Sequence, residues 1–251
     1  MKTLKKYLSI MHLGIKSGLV FRANYLIKLA TQALSLLVTL WMWQWIGDGQ
    51  KSDLSSISQY LIITNLLSLL FSISPAFSLA NLIKSGKLSF YLTRPVSLYG
   101  HLYLQFLGGQ LPLLAVYLVV VLAMHLSAGI ILSLFLYVLV ASIMFFNLMM
   151  ITGSLAFWLI NLWPLRSGLY AIYLLLGGLY FPLKMLGSQI YAWLKYNPFS
   201  LVTDIPANIA IAKVDQLQSY YLAAVVWTIV FYLGYRLIYA KGQKKYEGVG
   251  V

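Results

Sequence analysis

Apolar residues dominate this chain in long blocks separated by short polar stretches, and the block lengths match the ~20 residues that a helix needs to cross a bilayer. The blocks at 23–46, 57–79, 101–125, 130–162, 167–186 and 218–239 predict six transmembrane helices. Ahead of them, Leu4, Leu8, Met11, Ile15 and Leu19 recur at helical spacing while Lys2, Lys5 and Lys16 fall on the opposite side. Residues 1–22 therefore predict an amphipathic interfacial helix, its apolar face in the acyl boundary and its lysines toward anionic headgroups. Lys5, Lys6 and Lys16 interrupt the early apolar positions, so no cleavable signal peptide is expected.

The connections differ in character. Asn81 to Tyr99 is a basic island between the second and third blocks, carrying Lys84, Lys87 and Arg94 with Gly86 and Pro95 and no acid, and it predicts a short surface helix. Trp41, Trp43 and Trp45 crowd the end of the first block as interfacial anchors do. Pro75 interrupts the second block near its end, Pro112 predicts a kink in the third, and Gly177 with Gly178 fall in the middle of the fifth. Residues 187–217 hold two prolines, two acids and apolar stretches too short to cross, which predicts an external region with one or two short helices dipping into the membrane. Residues 240–251 are a basic tail. The fold class is thus an all-α integral membrane protein.

Composition agrees: the chain is 61% hydrophobic and only 9% charged, with a mean hydropathy of +0.83, against about 25% charged in soluble domains. The net charge of +13 is not a nucleic-acid signature, because the bases sit at the ends of apolar blocks. Placing both termini in the cytoplasm puts 14 of the 18 Lys and Arg on that side, and leaves Lys51, Lys184, Lys195 and Lys213 outside with Asp48, Asp53, Asp204 and Asp215. That asymmetry sets the expected orientation. Cysteine is absent, which removes disulfide, thiolate and cysteine–metal chemistry. His12 and His101 are expected near the inner face and His125 near the outer one, so no metal set forms.

No catalytic constellation stands out, and the chain is not expected to be an enzyme. None of the five acids falls inside a predicted span, which argues against an ion-coupled carrier needing an ionisable group at membrane depth. A G-x-x-x-x-G-K-[ST] loop is missing too, so any ATPase would be a separate polypeptide. A non-transporting membrane scaffold stays open as an alternative. Within the spans, Gln32, Gln44, Asn65, Gln105, Gln110, Asn147 and Asn161 either line a path or hydrogen-bond between helices. Trp41 and Trp45, four apart on one helix face, suit contact with an apolar cargo, and with Gln32 and Asn65 they are the candidates for the path.

The run Ile83-Lys84-Ser85-Gly86-Lys87-Leu88, followed by Leu92-Thr93-Arg94-Pro95-Val96, resembles the segment after the second span in permease subunits of type 2 ABC exporters, closest to a bacterial six-span branch without a fused ATPase. Asn197-Pro198-Phe199 with Pro206, and the tail with Tyr246-Glu247-Gly248, agree with it, so the likeness runs over essentially the whole chain. It implies a multi-pass permease in the bacterial cytoplasmic membrane, paired with a second permease of the same or related kind and bound to cytoplasmic ABC ATPases that carry ATP and magnesium. No cofactor is implied on this chain. The resemblance makes residues 81–95 the coupling segment, with Lys84, Ser85, Gly86, Lys87, Leu88 and Tyr91 toward the ATPase and Arg94-Pro95 ending the helix. The path would run between the first, second and fifth spans, for amphipathic or cationic cargo such as drugs or antimicrobial peptides.

Overall fold

The computed structural model describes residues 2–20, 22–46, 51–93, 97–124, 126–159, 161–211 and 217–246, and all regular structure among them is helical. In chain order come α1 (Lys2–Val20), α2 (Arg22–Ile46), α3 (Lys51–Leu70), α4 (Ser74–Lys84), α5 (Leu88–Leu92) and α6 (Leu98–Ala123). They are followed by α7 (Ala128–Ser154), which a 3-10 turn extends to Phe157, then α8 (Leu165–Leu176), α9 (Ser188–Leu194), α10 (Pro198–Val202), α11 (Asp204–Ala210) and α12 (Leu217–Gln243). Among the described residues five helical stretches are long and apolar enough to cross a membrane: Tyr25–Ile46, Ser55–Lys84, Leu98–Ala123, Ala128–Phe157 and Leu217–Gln243.

The second of these is broken, although not at its proline. The helical path lapses at residues 71–73 and resumes at Ser74, so Pro75 lies in the first turn of α4, where its missing N–H breaks no helical bond. Running on to Lys84, α4 absorbs the beginning of the segment expected to be a separate surface helix. Pro112 lies inside α6, which continues through it.

The expected fifth span does not form as one helix over 167–186. α8 has 12 residues, about 18 Å at 1.5 Å per residue, well short of a ~30 Å hydrocarbon core. Gly177 and Gly178 end it instead of sitting inside it: Gly178 has φ +70°, and the Thr203 hydroxyl donates to the Gly177 carbonyl at 2.6 Å. The following region is also more ordered than expected, with three short helices. Asn197 starts α10 by accepting from the Phe199 and Ser200 amides at 2.8 and 2.9 Å, while its own amide donates to the Leu176 carbonyl at 3.1 Å. Residues 200–210 are buried against α3 and α7.

α7 is the centre of the packing. Met144, Phe145, Phe146, Met149 and Met150 are all buried, and α4, α10, α11 and α12 close around it. By contrast α2 is mostly exposed, with Leu34, Val38 and Trp45 at 64, 58 and 84%. The expectation for α1 changes. Met11 and Ile15, predicted to face lipid, are half-buried on the side where Gly14 packs against α6. Gly14 and Gly108 sit so close that a Cβ on either would strike the facing backbone, at the Gln105 or Met11 carbonyl. Close backbone approach through small residues is how helices pack where lipid removes the hydrophobic drive between them. Leu8 and Leu13 remain exposed.

Candidate coupling surface and polar groove

The basic island folds as a tight helix–turn–helix. The Ser85 amide bonds the Asn81 carbonyl, the Gly86 amide bonds Ile83, and the Ser89 amide bonds back to Gly86. Gly86 has φ +73°, a left-handed conformation in which an L side chain costs roughly 1–2 kcal/mol. Buried Ile83 and Leu88 anchor the two arms, leaving Lys84, Ser85 and Lys87 exposed at the turn and Tyr91 half-buried. Tyr91 packs beside His101 with the rings tilted at 59°, centroids 5.0 Å apart, and its hydroxyl lies 3.4 Å from Nε2. Phe90 and Leu92 add exposed apolar surface at 52 and 44%. Arg94 and Pro95 lie outside the described residues, as does His125.

A residue given no contact by the sequence holds this turn. Tyr246 donates its hydroxyl proton to the Gly86 carbonyl at 2.7 Å, and Ser89 Oγ lies 3.2 Å from that tyrosine hydroxyl oxygen. With the single phenolic proton already committed, the Ser89 hydroxyl donates in that second bond. Tyr246 gets there because Gly242, at the end of α12, is buried against Phe157, after which a turn folds the chain back. The Phe157 and Tyr246 rings also meet edge-on at 6.2 Å.

The candidates within the spans divide. Gln32 and Asn65 are brought together: Gln32 Nε2 donates to Asn65 Oδ1 at 2.6 Å and to Ser68 Oγ at 3.1 Å, joining α2 to α3. Trp41 and Trp45 are not part of that contact and stay 64 and 84% exposed farther along α2, while Trp43 between them donates to the Tyr180 carbonyl at 2.8 Å.

From the Gln32–Asn65 pair a polar groove extends as three adjoining cavities. A cavity of about 200 Å³ lies among α1, α2, α4 and α6, with Ser17, Tyr25, Lys28, Ser78, Gln105 and Gln110 in its wall. Next to it, one of about 140 Å³ shares Tyr25, Lys28 and Gln110 and adds Gln32, Ser68 and Ser72. The third, about 280 Å³, shares Ser68, Ser72 and Tyr170 with the second and reaches Arg166 and Ser167 on α8. Gln110 Oε1 is buried without a hydrogen-bond partner.

The groove thus runs along α2, α3 and α8, and the basic turn follows the second membrane-length stretch. The family model described as ABC-2 family transporter protein matches residues 26–250. The chain belongs to the ABC-2 transporter family. No curated protein matches it. As an ABC-2 permease it is a multi-pass membrane transport component, a family that works with ABC ATPase subunits.

Asp204 lies outside the membrane-length helices, as expected, but is not solvent-exposed. Asp204 on α11 is fully buried, accepting from the Tyr60 hydroxyl at 2.6 Å and the Tyr191 hydroxyl at 3.2 Å, with Ser200 Oγ at 3.5 Å. Burial pushes its carboxyl above the usual range, opposed by the tyrosine hydroxyls and by nearby Lys184. Among the described residues no group of three His, Cys, Asp or Glu could hold a metal ion.

Proposed function

We propose that this permease is the membrane half of an ATP-driven exporter, and that the turn from Lys84 to Tyr91 is the handle gripped by a separate cytoplasmic ATPase carrying ATP and magnesium. The observation that carries the reading is the turn itself: two exposed lysines, Phe90 and Leu92 displayed on arms anchored by buried Ile83 and Leu88. A rigid mount with an exposed tip transmits a push. In this reading α8 and the glycine turn after it make the sixth crossing's worth of chain, both termini lie in the cytoplasm of a bacterial cell, α1 sits at the inner interface, and a second permease completes the path against exposed α2. Cargo of amphipathic or cationic type is what the family likeness suggests.

The test is copurification and transport with Lys84→Glu and Lys87→Glu together. Both side chains are exposed, so folding stability should move by no more than about 0.5 kcal/mol. ATPase retained on the tagged permease, and ATP-dependent transport, should both fall by about tenfold or more, the equivalent of ~1.4 kcal/mol. A double variant that keeps its ATPase and exports normally overturns the handle. Buried Asp204 is the one observation favouring an ion-coupled carrier. Hydroxyl donors occupy both its oxygens, which makes that reading the weaker, and transport that survives ATP depletion but not collapse of the ion gradient would reverse the order.

A further inference from the structure

The walls of the groove carry information about cargo. Its polar lining is made of hydroxyls, carboxamides and two bases, Lys28 in the first two cavities and Arg166 in the third. Among the described residues no Asp or Glu lines any of the three cavities. The one described carboxylate with a defined environment, Asp204, is already held by Tyr60 and Tyr191. A cation entering here would meet two like charges and no counter-charge.

The groove is also amphipathic along its length. Leu69 and Leu113 line the middle cavity beside Gln32 and Ser68. Leu102 and Phe106 line the first cavity, and Phe71 and Ile73 the third. An alkyl chain could lie against these walls while its polar head met a base.

We propose that the groove binds an amphiphile whose head carries a phosphate-type anion, with Lys28 in the first two cavities and Arg166 in the third as the bases that favour the anion, and the chain against the apolar walls of the cavities. This rests on assigning the groove along α2, α3 and α8 to the translocation path, and it replaces cationic cargo with anionic cargo of the same amphipathic kind. Arg and Lys suit phosphate for the ordinary reason: charge-assisted hydrogen bonds to phosphate oxygens are about twice as strong as neutral ones.

The experiment measures saturable binding of lauroyl lysophosphatidylglycerol to the purified full-length permease in neutral detergent. Dodecyltrimethylammonium and inorganic phosphate serve as competitors. The expected result is displacement by dodecyltrimethylammonium at least about tenfold weaker than self-displacement, with inorganic phosphate weaker still because it lacks the chain. Lys28→Gln with Arg166→Gln should weaken binding about tenfold or more, whereas Lys241→Gln with Lys244→Gln, bases at the end of α12, should leave it unchanged. Ser72→Asp, which puts an acid into the wall shared by the second and third cavities, should reverse the order of the two amphiphiles. Equal affinity for the cationic amphiphile, or a Lys28–Arg166 double variant that binds as the parent does, overturns the proposal. Inorganic phosphate competing as well as the lipid overturns the amphiphile assignment and leaves a simple anion site. Since the measurement needs neither ATPase nor transport, its failure leaves the coupling handle standing, and failure of the handle leaves this binding intact.

Discussion

Removing the hydroxyl of Tyr246 should loosen the turn that we assign to the ATPase while leaving its exposed face chemically untouched. Tyr246→Phe deletes the bond to the Gly86 carbonyl at 2.7 Å and the contact with Ser89 at 3.2 Å, but keeps the ring against Phe157. Gly86 is only half-buried, so water can replace the lost donor, and the net cost falls near the middle of the usual range, about 1 kcal/mol. That is a roughly fivefold rise in the open population of the turn. Tyr246→Ala also loses the ring contact, and at about 2 kcal/mol the rise approaches thirtyfold. Amide hydrogen exchange reads this directly, because the Gly86, Ser89 and Thr93 amides are all hydrogen-bonded within the segment. Exchange should accelerate about fivefold in the Phe variant and about thirtyfold in the Ala variant over residues 85–93, with α3 unaffected. Unchanged exchange in both variants would refute the idea that the tail braces the turn. So would an acceleration spread evenly through α6 and α7, which would mean general destabilisation.

Further predictions concern α1 and Asp204. Gly108→Leu should force α1 off α6, because even a Cβ there meets the Met11 carbonyl; overpacking of this kind costs about 1–3 kcal/mol or more, and trypsin should then cut faster at exposed Lys6 and Lys16, a result whose absence would show that the two helices can slide apart without penalty. Since burial raises the Asp204 carboxyl above its unfolded value of about 3.9, the folded state binds the proton more tightly. Stability should therefore be highest below the ordinary carboxylate range and decline as pH rises from there through the raised folded value. Asp204→Asn should flatten that slope in detergent melting curves, and Asp204→Leu, which strands the Tyr60 and Tyr191 hydroxyls, should lower stability at every pH.

How far the sequence reaches depends on the range over which each feature is determined. Block length is local, and it located five membrane-length stretches to within a few residues. The second lapses at residues 71–73 because Pro75 restarts a helix more readily than it ends one, a distinction that depends on register. Gly177 and Gly178 look like span residues until Thr203 reaches the Gly177 carbonyl from 26 positions away. Gln32 and Asn65 were legible as polar residues within spans, yet only the crossing of α2 and α3 shows that they meet each other. Asp204 is placed with the external acids by the charge count, and the apolar residues Leu201, Val202 and Ile205 around it, too few to cross a membrane, give no local sign that helix packing buries it. Nothing along the chain ties Tyr246 to Gly86, and the tyrosine in the tail was visible only as a piece of a motif.

The Gly14–Gly108 seam has a further consequence for how the chain is made. α1 is synthesised first, but the surface that receives it is carried by α6, more than 80 residues downstream. Until that helix has entered the membrane, α1 has no docking partner, and its contact is among the long-range ones that close slowly. The amino-terminal helix then settles only after the chain has passed through two intervening membrane-length stretches, and its docking reports that the third has arrived in register. A chain halted before residue 98 should leave α1 undocked, so quality control acting on a free amino-terminal helix would remove half-built permeases before they could recruit an ATPase.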